Sequence, residues 1–125
     1  MIQPPRAVRI FAHRAPVDMR KSFDTLAAVV RLEMGNDVMA GDVFVFVGRR
    51  RRHAKVLWWD GTGMVLVAKR LAKGRFGAPW DREGEGSVRW TTTELALFLE
   101  GSDLITKREV SPRAWDPKER RVVFQ

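Results

Sequence analysis

Four consecutive arginines, Arg49, Arg50, Arg51 and Arg52, interrupt the stretch FVFVGRRRRHAKVLWWDGTG between two runs of apolar residues. A guanidinium is permanently charged, and its planar fork makes paired hydrogen bonds to phosphate oxygens. A second basic group, KRLAKGRF, follows at residues 69–76. Residues 49–75 hold nine basic groups, namely the four arginines with Lys55, Lys69, Arg70, Lys73 and Arg75, against the single acid Asp60. That surplus equals the net +8 of the whole chain, and the remainder carries fourteen groups of each sign. A solvated protein face usually mixes its signs. A one-sided surplus instead sets up a field that attracts DNA, RNA or an acidic protein surface alike.

Residues suited to catalysis are scarce. The chain has no cysteine, which removes thiolate nucleophiles, thiolate metal sites and disulfides together. His13 and His53 have no nucleophile at a readable spacing, and His53 beside the arginines reads as one more residue of a basic turn. Asp18, Asp24, Asp42 and Asp60 are the carboxylates that composition offers to a divalent ion. Each also has a local role: Asp18 as a helix cap, Asp24 on a helix surface, Asp42 and Asp60 in turns. No phosphate loop of the GxxxxGK[ST] type occurs. No catalytic residue, metal ligand or cofactor is therefore assigned, and the chain reads as a non-enzyme.

The basic groups need a frame to hold them. The alternating stretch at 7–13 predicts a first strand. Met19, Phe23, Leu26, Ala27, Val30 and Met34 recur at helical spacing, which predicts a helix over 19–33 capped by Asp18 and stopped by Gly35 and Asn36. Strands follow at 43–47, 55–59 and 64–69, the last two joined by Asp60-Gly61-Thr62-Gly63, a strong hairpin signal. Short connections of this kind favour an antiparallel meander over parallel strands. Residues 76–87 read as a loop, 88–91 as a further strand, and 92–101 as a short helix capped by Thr92 and closed by Gly101.

The expected fold is α+β: a small antiparallel sheet, a meander, packed by one main helix with a short C-terminal helix, in a single domain over 1–106. The tail at 107–125, with Pro112 and Pro117, is expected to be extended or disordered until bound. Trp58 and Trp59 must face opposite sides of their strand, so one is expected in the core and the other is open to packing or to stacking on a base. No apolar run approaches a membrane span, and the N-terminus lacks the apolar core of a signal peptide; a cytoplasmic location is expected.

The segments VDMRKSFDTLAAVV and GDVFVFVGRRRRHAKVLWWDGTGMVLVAKRLAKGRF, with Pro79, resemble the TnpB accessory proteins of the insertion sequence 66 family of bacterial transposons. The likeness covers about residues 7–80, with a weaker echo in TTTELALFLEGSD. It rests on Arg49, Arg50, Arg51 and Lys55, on Trp58, Trp59, Asp60 and Gly61, and on Lys69, Arg70, Gly74, Arg75 and Phe76. The chain departs from the pattern at 83–87 and in its tail. The resemblance implies a protein encoded beside a DDE transposase and needed for efficient movement of the element. The transposase and a companion accessory protein would be its partners, and no catalytic residues carry over. Three readings follow: a subunit that binds DNA through the arginine-rich hairpin, an adaptor that docks on the transposase or the companion protein, and a small basic nuclease.

Overall fold

The computed structural model describes residues 7–101. Its five strands are β1 (Ile10–His13), β2 (Val43–Val47), β3 (His53–Trp59), β4 (Met64–Arg70) and β5 (Ser87–Trp90), in one sheet of order β4-β3-β2-β1-β5. Helix α1 spans Phe23–Glu33 and α2 spans Thr92–Leu99, with short 3-10 turns at Val38–Ala40 and Pro79–Asp81. The α+β class holds, with one main helix and a short C-terminal one. The meander of β2, β3 and β4 is antiparallel as expected, with Val45 opposite Val56 and Leu57 opposite Leu66. The tail proposed for 107–125 lies outside the described residues.

The full sheet is mixed. β1 pairs parallel with β2, Phe11 beside Phe44. A parallel pair needs a long crossover, and α1 supplies it. β5 then pairs antiparallel with β1 on the far side, Ile10 opposite Trp90.

Both faces of the sheet are covered. On one, Leu26, Val29 and Val30 of α1 pack over Phe44, Phe46 and Leu57. On the other, Leu97 and Phe98 of α2 and Phe76 of the long loop pack over Val45, Val47, Ala54 and Val56. Phe76 stacks on Phe98 with ring centroids 4.8 Å apart. Burial on two sides is why VFVFV is a continuous apolar run rather than an alternating one. Trp58 joins the α2 side and Trp59 the α1 side, each half-buried, so the opposite-face expectation holds.

Two helix starts differ from the sequence reading. α1 begins at Phe23 behind Ser22, whose N–H donates to the Thr25 hydroxyl at 2.8 Å. Asp18 instead organises the turn before it. Its carboxylate accepts from the Arg20 backbone N–H at 2.9 Å and from the Arg20 guanidinium at 2.7 Å. A carboxylate can serve a tight turn as readily as a helix end, because both present free amides to it. α2 is capped by Thr91 rather than Thr92: Thr91 Oγ1 accepts from Glu94 N–H at 3.1 Å while Glu94 accepts from Thr91 N–H at 3.0 Å. This reciprocal pair is a capping box, legible as Thr-x-x-Glu one residue earlier.

Candidate nucleic-acid interface

The arginine turn joins β2 to β3. Gly48 N–H donates to His53 O at 3.1 Å and Arg51 N–H donates to Gly48 O at 2.9 Å, which closes the turn. Arg51 takes φ = +61° to do so. A left-handed residue with a side chain costs about 1–2 kcal/mol, so something must hold it there. Phe76 does: its N–H donates to Arg51 O at 2.6 Å, and Arg51 Nε donates to Phe76 O at 2.8 Å. Leu71 N–H donates to Arg52 O at 2.9 Å, and Arg70 stands opposite His53 in the β3–β4 register. The two basic stretches, some twenty positions apart in sequence, are thereby stitched along one end of the sheet.

The nine cations do not behave alike. Arg51 is half-buried and bound to the Phe76 carbonyl. Lys55 Nζ donates to Lys21 O at 2.7 Å, tying β3 to the segment that leads into α1. Lys69 Nζ donates to Leu99 O, where the last carbonyls of α2 need a partner. The remaining six, Arg49, Arg50, Arg52, Arg70, Lys73 and Arg75, are exposed, and their side chains have no hydrogen bond or ion pair with the described residues.

The single acid of the segment is kept away from them. Asp60 sits in the turn at the far end of the hairpin, about 20 Å along β3 from His53 at a strand's usual rise. Its Oδ1 accepts from Thr62 N–H, Thr62 Oγ1 and Gly63 N–H at 2.9, 2.9 and 3.0 Å. Those donors, the Thr62 backbone first, hold its carboxyl below the ordinary 3.8. The separation exceeds the screening length of roughly 8–10 Å near physiological salt, so Asp60 does not neutralise the arginine end. WWDG is thus a turn held by its own aspartate, with a tryptophan on each face of the sheet behind it.

The other acid and histidine candidates stand apart. Asp42 is fully buried and receives Arg9 through its backbone N–H at 3.1 Å and its Nη2 at 2.9 Å. His13, 4% exposed, has Nδ1 3.0 Å from Ala15 N and Nε2 3.0 Å from Glu33 Oε1. Asp24 is exposed in the first turn of α1. Among the described residues no three His, Asp or Glu side chains come together as a metal site, and no helix is long and apolar enough to cross a membrane.

The sequence reading passed over one feature, a cleft of about 420 Å³ between residues 16–19 and the turn at 48–53. Val17 N–H donates to Val47 O at 2.9 Å, which pins one wall to the sheet. Met19 closes the space beside Gly48, where an added Cβ would stand 2.8 Å from Met19 Cγ. Gly48, immediately before four arginines, was the available signal that another segment comes close.

Fold and charge together define a small α+β fold whose two basic stretches meet at one end of a mixed sheet. Residues 8–109 match the family described as IS66 Orf2 like protein. The chain belongs to that family, an accessory family of insertion-sequence transposition and not a known catalytic one. It is similar to two proteins of Sinorhizobium fredii (strain NBRC 101917 / NGR234). "Uncharacterized protein y4jC" is 35% identical over 103 residues, 82% of this chain and 86% of the relative. "Uncharacterized protein y4hO" is 34% identical over 103 residues, 82% of this chain and 88% of the relative. No solved structure matches the chain significantly.

Proposed function

We propose that the protein is a DNA-binding accessory subunit of transposition that assists the transposase at the ends of its element, working in the cytoplasm. The observation that supports this most is the set of six exposed cations, without a partner among the described residues, gathered at one sheet end: Arg49, Arg50, Arg52, Arg70, Lys73 and Arg75. Charges with no partner among the described residues, on a turn and a loop whose backbones are hydrogen-bonded together, are suited to phosphates. The transposase and the companion accessory protein are the partners that would bring this end to the element.

Fluorescence anisotropy of a labelled duplex against salt tests the reading. If all six cations meet phosphates, log K should fall with log salt at a slope of about −5. Changing Arg49, Arg50 and Arg52 together to alanine should flatten the slope by about 3 and weaken binding by two to three orders of magnitude at about 0.1 M salt. No binding by the unmodified protein at low salt would end this reading. The adaptor reading would then take its place if the protein co-purified with the transposase in high salt without nucleic acid.

A further inference from the structure

The cleft beside the arginine turn has two kinds of wall. Pro16 and Met19 give an apolar side with buried Val17 behind them, and the arginines, with His53 beside them, give a cationic one. Asp18 is the one acid in the lining, and the Arg20 fork at 2.7–3.1 Å neutralises it. The apolar wall is held fixed by the Val17–Val47 hydrogen bond and by the contact of Met19 with Gly48.

We infer that this cleft receives a single unpaired nucleotide of a DNA strand, its base against Pro16 and Met19 and its phosphates on the flanking arginines. The inference rests on the DNA-binding reading and names the form of DNA. About 420 Å³ falls within the range of pockets that enclose a small molecule. A paired base is closed in its stack and offers a protein only its edges, so a concave pocket gains nothing from it. An unstacked base offers a whole face, which binders of single strands cover with aromatic rings and this cleft covers with aliphatic side chains. Free phosphate would leave the apolar wall idle. Base and phosphate together use both walls.

Anisotropy titrations on three labelled DNAs matched in phosphate number test this: a blunt duplex, the duplex with a short unpaired overhang, and the same overhang made abasic. The overhang should bind about fivefold tighter than the blunt duplex through apolar burial of the base, and the abasic overhang should lose that gain. Two variants alter the apolar wall without removing a basic side chain. Met19→Ala strips that wall of its longest side chain, and Gly48→Ala displaces Met19. Each should erase the overhang preference and leave blunt-duplex affinity within about twofold.

Equal affinity for overhang and blunt duplex would overturn the inference and leave the DNA-binding reading standing. So would an abasic overhang that binds as tightly as the base-bearing one, or a preference that survives both variants. Absence of binding to every DNA would remove both.

Discussion

The two ends of the β3–β4 hairpin differ in how they use their polar groups. At the Asp60 end, the carboxylate takes three donors from its own turn and the Asp60 backbone N–H donates to Gly63 O at 3.0 Å. Little is left over for a partner. At the arginine end, Arg51 is spent on Phe76, and Lys55 and Lys69 are spent on the carbonyls of Lys21 and Leu99. Six cations around them have no partner among the described residues. A basic segment is therefore not a uniform patch. Part of it builds the platform and part stands on it, and the difference lies in which guanidinium or ammonium finds a carbonyl at home.

The sharpest way to break this division is to remove its anchor. Phe76 is fully buried and stacked on Phe98, and its backbone holds Arg51. Phe76→Ala should cost about 3–5 kcal/mol in urea unfolding. DNA affinity should fall with it although no charge is removed.

A smaller effect separates two lysines of similar sequence context. Lys69→Met should lower stability by about 0.3–1 kcal/mol, since it removes a cation from the C-terminus of α2, and should leave the salt slope unchanged. Lys73→Ala should leave stability unchanged and flatten the slope by about 1. The pair is read by thermal unfolding beside anisotropy.

The smallest effect is expected at the opposite end. The Asp60 carboxyl is held below its ordinary 3.8, so its contribution is complete above that value and is lost as the pH falls toward the folded-state pKa. Asp60→Asn keeps the acceptor oxygen and removes the titration. Its thermal midpoint should fall less than that of the unmodified protein between neutral and strongly acidic solution, and DNA affinity at neutral pH should change little.

Much of the frame was legible because it is local. VFVFV and MVLVAK mark β2 and β4 within a residue, and the alternation rule places Trp58 and Trp59 on opposite faces. The start of α1 is ambiguous in the sequence because DMRKS holds two residues able to cap, Asp18 and Ser22, and Met19 fits the helical stripe while serving the cleft beside Gly48. The parallel β1–β2 pair leaves no local trace, since the partners are over thirty positions apart. At the basic end, composition gathered the right residues but did not sort them. A left-handed Arg51 is rare enough that no pattern announces it. The carbonyls that hold Lys55 and Lys69 belong to α1's approach and to α2, contacts that exist only once the sheet has formed.

Neighbours in one arginine run thus have different tasks. The salt slope of duplex binding and the thermal midpoint, measured for Arg50→Ala and Arg51→Ala side by side, separate them. Arg50→Ala should flatten the slope by about 1 with an unchanged midpoint. Arg51→Ala should leave the slope unchanged and lower the midpoint by about 4–8 °C for each kcal/mol of the lost Phe76 contact. An Arg51→Ala protein as stable as the original, with a slope flattened as much as that of Arg50→Ala, would contradict it.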